Sequence, residues 1–195
     1  MYYAEFETDK YILENCFDNN FLGTMLEAGA GDTNAISMSK AFREKGWRTI
    51  CVEPNPVLAE SHRKENNEIY QYALSDNIST DVDFEICGNI AQALSFSALK
   101  IKYPGATNIS VIKVNVTTIN WLLEYLKIEK IDFVSLDVEG WELEAMKGFN
   151  TDIYQPKIIL LENLKRQDSY TKYMKSIGYN LIHNLDYNYI YQRNV

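Results

Sequence analysis

Hydrophobic and polar positions change period several times along this chain, and each change marks an element. Short apolar runs recur at residues 21–26, 48–52, 131–136 and 157–161, closing on Glu27, Glu53, Asp137 and Glu162. Such runs, with no regular polar face, suit parallel strands covered on both sides. Helical spacing or helix-ending signals fall between them. Residues 34–45 end at Gly46, 57–65 follow Pro54 and Pro56, 140–147 close on Gly148, and 169–176 end at Gly178. Thr118 reads as the N-cap of a helix over 119–126. Residues 69–74 read as a third core strand. Residues 82–86 and 111–116 alternate with period two, the pattern of strands with one wet face. A terminal hairpin is expected over 179–185 and 187–192, around Asp186.

Strands alternating with helices predict an α/β fold with a doubly wound, mostly parallel sheet, to which the hairpin adds one antiparallel strand. No linker or repeat interrupts residues 1–195, so one domain is expected. Residues 1–20 form an N-terminal helical extension, with a short helix over 6–17 packed across the sheet edge. Residues 88–110 carry little periodicity beyond a Pro104-Gly105 turn, and a stretch of that length suits an acceptor-side loop or lid.

Composition narrows the function classes. At 195 residues, 46% hydrophobic and 13% aromatic, the chain can bury a sizeable core. A net charge of −8 argues against a nucleic-acid partner and against an anionic membrane surface. No apolar run suits a membrane span, and the N-terminus lacks the pattern of a signal peptide. Cys16, Cys51 and Cys87 have no metal-ligand spacing and are odd in number, which suits buried thiols and a cytoplasmic location.

The candidate chemistry begins at Glu27-Ala28-Gly29-Ala30-Gly31-Asp32. A strand, a tight glycine turn and a helix open many nucleotide sites, because the turn lets a ligand approach and the helix N-terminus offers unpaired N–H groups. A dinucleotide fingerprint needs a third glycine, and Asn34 stands there. Glu53 keeps the acidic position that accepts ribose hydroxyls. A nucleoside without a pyrophosphate therefore fits better, and Glu27 could face a cationic amino group. Because ligands bind beyond the carboxyl ends of the strands, all four terminal carboxylates are expected at the ligand edge.

A second stretch is more distinctive: Ser135-Leu136-Asp137-Val138-Glu139-Gly140-Trp141-Glu142-Leu143-Glu144-Ala145-Met146-Lys147-Gly148-Phe149. Together with the glycine turn, Gly46-Trp47, Val52-Glu53-Pro54-Asn55-Pro56, Ala73-Leu74-Ser75-Asp76 and Thr118-Ile119-Asn120, it resembles the FkbM family of S-adenosylmethionine-dependent methyltransferases. The resemblance implies a class I, Rossmann-like methyltransferase fold. It also implies O-methylation of a hydroxyl on a sugar, glycan or related small molecule. By the same resemblance Glu27, Gly29, Gly31 and Asp32 would serve the methionine end of S-adenosylmethionine and Glu53 the ribose. Tyr72 and Ala73 would border the adenine, and Asp137 and Glu139 would face the reacting centre. The chain departs from the family pattern at Thr33, at Asn120 and in its N-terminal stretch Ala4-Glu5-Phe6-Glu7-Thr8-Asp9.

A hydroxyl acceptor must lose a proton, and the candidate bases are Asp137, Glu139, Glu162 and His183. Asp137 and Glu162 could alternatively hold a divalent cation such as Mg²⁺, which would lower the pKa of the acceptor hydroxyl. Glu142 reads as a helix-terminal carboxylate and His62 as a surface residue. Trp47, Trp121 and Trp141 read as packing anchors. Two other functions compete: an NAD-dependent oxidoreductase, and a non-catalytic S-adenosylmethionine-binding protein on the same scaffold.

Overall fold

The computed structural model describes residues 1–87, 94–95 and 108–194. The closed apolar runs form the centre of a seven-stranded sheet. Its strands are β1 (Thr24–Ala28), β2 (Arg48–Val52), β3 (Ile69–Tyr70), β8 (Phe133–Leu136), β9 (Ile158–Glu162), β10 (Tyr179–Leu185) and β11 (Asn188–Arg193), in the order β10-β11-β9-β8-β1-β2-β3. From β9 to β3 every pairing is parallel, and β11 pairs antiparallel with β9. The hairpin thus adds one strand against the direction of the rest, as the sequence predicts.

Period-two alternation divides the core between the two faces of this sheet. Leu26, Ile50, Val134, Leu136, Ile159 and Leu161 pack on one side with α4 (Ile119–Tyr125), α5 (Glu142–Lys147) and α7 (Asp168–Ser176). Met25, Phe133, Ile158, Leu160 and Ile190 pack on the other with α1 (Thr8–Asn15) and α2 (Met38–Glu44). Each large side chain fully removed from water is worth roughly 1.5–3 kcal/mol, so the two faces carry most of the driving force. Trp47 anchors the second face among Phe17, Phe21 and Phe42, with ring centroids 4.9–5.5 Å away.

Three expectations need correction. The strand read over residues 69–74 is two pieces, β3 and β4 (Ala73–Leu74), in different sheets. β4 begins a four-stranded sheet in the order β4-β7-β5-β6, with β5 at Ser79–Cys87, β6 at Leu94–Ser95 and β7 at Ile109–Thr117. The alternating stretches are therefore the long partners of a second sheet. The helix expected from residue 34 begins only at Met38, because Ile36 sits at φ 53° and breaks the helical path. A short helix, α6 (Thr151–Tyr154), went unread; the Asn150 side chain caps it by accepting from the N–H groups of Asp152 and Ile153. Helix α3 (Pro56–Lys64) starts on the Asn55 cap, with proline in its first turn.

Most of the loop expected at residues 88–110 lies outside the described residues, although Ile109 already belongs to β7. The three cysteines are buried thiols and none forms a disulfide. No helix among the described residues is long and apolar enough to cross a membrane.

Candidate active site

Strand register decides which carboxylates meet. Ala28 pairs with both Val52 and Leu136, and Leu136 pairs with Leu161. The next residue on each strand is Gly29, Glu53, Asp137 and Glu162, one row across four strands at their carboxyl ends. The row straddles the point where the chain leaves β1 toward β2 on one side and returns as β8 on the other, the switch point where open α/β sheets bind ligands. A cavity of about 280 Å³ opens there. Its size is near the low end of the roughly 300–1,000 Å³ typical of small-molecule sites.

Gly29, Gly31, Glu53, Tyr72, Ala73, Asp137, Glu139 and Glu162 all line this cavity. Asp32, Glu27 and His183 do not. Asp32 spends its carboxylate on the N–H of Asn34, 2.8 Å away. Glu27 pairs in register with Cys51, one row short of the rim, and points to the face that α2 covers. Its oxygens accept from the N–H groups of Met38 at 2.9 Å and Ser39 at 3.2 Å. The unpaired helix N-terminus expected from the sequence is thus already closed by the protein's own carboxylate. Burial pushes the Glu27 carboxyl above its ordinary range, with the Ser39 and Met38 hydrogen bonds opposing. Glu27 instead lines a smaller hollow of about 50 Å³, whose wall includes Gly29 and Asp137 of the main cavity.

The glycine turn is held through its own backbone. Gly29 N and Ala30 N both donate to Val52 O, at 3.0 and 3.2 Å. Gly31 N donates to the Glu53 carboxylate at 3.0 Å. These N–H groups are therefore occupied, and the turn offers a ligand close contact and not free donors. Gly29 is obligatory on two counts. Its φ is +74°, and a Cβ there would lie 1.7 Å from the carbonyl oxygen of Asp137. Glu53 also accepts from Asn55 N at 2.8 Å, and burial raises its carboxyl to about 7.

Asp137 is exposed to water in the cavity while protein encloses it on most sides. That enclosure, followed by the negative charge of Glu162, pushes its carboxyl well above the ordinary range. The Asp137 side chain is also hydrogen-bonded to Glu162, which raises its carboxyl further. Glu139 adopts φ 60° and is followed by Gly140 at φ 93°, two left-handed residues that turn the chain along the cavity rim. Glu142 is fully buried and closes this turn, accepting from Val138 N at 3.0 Å and Gly140 N at 2.9 Å. The Tyr170 hydroxyl donates to it at 2.6 Å. Among the described residues no group of three or more His, Cys, Asp or Glu side chains is gathered to hold a metal ion. Asp137 and Glu162 stand as a pair.

The distinctive stretches of the sequence converge below the site. Trp141 Nε1 donates to Ser75 Oγ at 3.1 Å, and a Cβ on Gly148 would meet Ser75 O at 2.2 Å. Gly148 O accepts from Asn120 N at 3.0 Å, and Thr118 Oγ1 caps α4 by accepting from Trp121 N at 3.0 Å. The glycine ending the second motif thus serves close backbone packing against the Ser75 turn.

Sequence reasoning missed several walls of the cavity: Glu5, Ile36, Phe84, Leu164 and Tyr187. Phe84 carried a readable signal, the inward position of an alternating strand. Tyr187 sits in the hairpin turn beside the end of β9, where its carbonyl accepts from Asn163 N at 2.7 Å. Its hydroxyl donates to Glu5 of the N-terminal 3-10 turn (Glu5–Glu7), and its ring meets Phe6 edge-on at 5.3 Å. His183 lies outside the lining, stacked on Tyr11 at 4.2 Å. His62 is not on the surface as expected but fully buried behind the glycine turn, because its side chain faces inward from α3 beside Ala59.

Comparison with known proteins gives three findings. No curated protein matches the chain. The crystal structure of a methyltransferase FkbM from Methylobacillus flagellatus KT is similar with a TM-score of 0.58 and 14% identity, which shows a shared fold. The match covers 88% of this chain and 43% of that one, so this chain spans less than half the length of that structure. The family model of the methyltransferase FkbM domain matches residues 27–189, from the glycine turn into the terminal hairpin. With most of its length inside that match, the chain belongs to the FkbM methyltransferase domain family.

Proposed function

We propose that the protein transfers a methyl group from S-adenosylmethionine to a hydroxyl of a sugar, glycan or related small molecule. The observation that carries the cofactor reading is the occupant of the α2 N-terminus. A pyrophosphate would need those N–H groups, and Glu27 already accepts from them. The site instead pairs a donor-poor glycine turn with a ribose-facing carboxylate, Glu53, which suits a nucleoside lacking phosphates. Five carboxylates line the cavity, from Glu5, Glu53, Asp137, Glu139 and Glu162, with no Lys, Arg or His beside them among the described residues. Burial raises Glu53 and Asp137, yet the described lining carries acidic groups and no cation, and that field favours a sulfonium cation and disfavours a dinucleotide.

In this reading Gly29 and Gly31 lie along the methionine end of the cofactor, Glu53 accepts from the ribose hydroxyls, and Tyr72 and Ala73 flank the adenine. When bound, the cofactor supplies an electrophilic methyl group. The chain aligns the acceptor oxygen, excludes water and takes the proton. Asp137 and Glu162 sit where the strands open, and in the ionised state of the pair one carboxylate accepts the acceptor proton. Glu139 on the rim orients the acceptor. The departures at the N-terminus fall on this acceptor side, since Glu5 and Phe6 approach it.

A thermal-shift panel tests the cofactor reading. S-adenosylmethionine and S-adenosylhomocysteine should raise the melting temperature of the protein, NAD should not, and Glu53→Ala should abolish the shift. Stabilisation by NAD alone would instead support the oxidoreductase reading. Binding of S-adenosylhomocysteine without transfer to any hydroxyl acceptor would support the non-catalytic one.

Glu53 adds a pH dependence. In the folded protein its pKa, about 7, lies above its ordinary value of 4.5. The buried neutral carboxyl therefore contributes stability that is fully present below pH 4.5 and lost as pH rises through 7. The linkage amounts to about 3 kcal/mol at most. Ribose binding runs the other way, because the ionised carboxylate is the better acceptor. From pH 8 to pH 6 the affinity for S-adenosylhomocysteine should fall by roughly tenfold. Calorimetric titration across this range checks the slope, and Glu53→Gln should flatten it.

A further inference from the structure

We infer that His62 is a positioning residue that fixes the glycine turn for the methionine end of the cofactor, an inference that rests on the S-adenosylmethionine reading above. His62 is fully buried on α3 and lines no part of the cavity. Its Nε2 lies 3.1 Å from Gly31 O and 3.3 Å from Ala30 O. Both partners are carbonyls that can only accept, so Nε2 carries the proton. Nδ1 is then the acceptor, and it faces Asn67 Nδ2 at 3.5 Å. The same Asn67 amide donates to Thr33 Oγ1 at 2.7 Å. One residue earlier on the helix, Ser61 Oγ accepts from Thr33 N at 3.3 Å.

The turn is therefore gripped from two sides. Val52 O and the Glu53 carboxylate take the N–H groups of residues 29–31 from the sheet. His62 takes the carbonyls of residues 30 and 31 from the helix. A peptide unit held at both its N–H and its C=O keeps one orientation, which a surface offering contact and not donors requires. Without the imidazole, the carbonyls of residues 30 and 31 lose a buried donor. The consequence falls on the part of the ligand that touches Gly29 and Gly31. Ribose and adenine rest on Glu53, Tyr72 and Ala73, whereas the hydrogen bonds of His62 go to Ala30, Gly31 and Asn67.

Two probes separate these halves of the site: S-adenosylhomocysteine, which carries the amino-acid tail, and adenosine, which does not. In calorimetric titrations His62→Leu should weaken S-adenosylhomocysteine by about tenfold or more while adenosine stays within about threefold. His62→Gln, whose amide N–H can donate to the same carbonyls, should recover S-adenosylhomocysteine binding to within about threefold of the unmodified protein. A general packing defect would weaken both probes alike and would not be rescued by glutamine. The inference is overturned if folded His62→Leu binds S-adenosylhomocysteine normally, if both probes weaken together, or if glutamine fails to rescue. Should His62→Leu not fold, Asn67→Ala, which loosens Thr33 and the imidazole from the loop side, should weaken S-adenosylhomocysteine alone by about threefold or more. Unchanged binding there overturns the inference as well. An unmodified protein that binds neither probe refutes the cofactor reading itself, whereas one that binds both with all variants unaffected refutes only the role of His62.

Discussion

Gly29→Ala should cost the protein both its cofactor and a large share of its stability. The added Cβ would stand 1.7 Å from the carbonyl oxygen of Asp137, far inside any van der Waals contact. That oxygen is backbone at the end of β8, tied in place because Asp137 N donates to Ala28 O at 3.1 Å, so it cannot swing aside as a long side chain could. The left-handed φ of +74° adds strain for any residue with a Cβ. Together these place the loss at about 3–5 kcal/mol, in the range of the most damaging single substitutions. A denaturant titration should show a lower midpoint, and S-adenosylhomocysteine should no longer stabilise what remains folded. An alanine variant with an unshifted midpoint and intact binding would contradict the contact on which the switch point is built.

Replacing either member of the carboxyl pair should remove catalysis and spare the cofactor. Asp137→Asn or Glu162→Gln deletes a carboxylate that takes the acceptor proton, a step typically worth about 10²–10⁴ in rate. S-adenosylhomocysteine affinity should change by only a few-fold, since glycine turn and Glu53 remain. Because the two side chains act as one hydrogen-bonded unit, Asp137→Asn with Glu162→Gln should be little worse than either alone. Methyl transfer to a panel of sugar and glycan hydroxyls, followed as S-adenosylhomocysteine release, measures all three variants. The raised Asp137 carboxyl also fixes the sign of the pH response: transfer should increase with pH as Asp137 ionises. Full activity in both single variants would remove the pair from the proposed mechanism.

The parallel core was legible because burial on both faces leaves a plain record, an apolar run closed by a polar residue. The same record misled at Glu27. Its sequence context resembles that of Glu53, yet register sets it one row lower and turns it toward Met38 and Ser39. Register is a property of strand pairs and cannot be read from one strand. His62 misled for a related reason. The residues around it, Glu60, Ser61, Arg63 and Lys64, are polar, and only the packing of α3 against the glycine turn makes its face an inside. The break between β3 and β4 was hidden because Ile69 through Leu74 reads as one strand, while the chain changes sheets at Gln71 and Tyr72. Glu5 and Tyr187 were beyond local reading altogether, since each becomes part of the cavity wall only through the other's neighbourhood.

The contact between Tyr187 and Glu5 joins residues 182 positions apart. Thr8 and Asn188 meet beside it, 180 positions apart. As a chain emerges from the ribosome, the early strands and their helices can associate with little loop to close, but this wall has no partner until the final hairpin is made. Synthesis order therefore makes this wall the last part of the cavity to be completed. A nascent polypeptide could hold the glycine turn and the Glu53 row well before it could enclose a substrate.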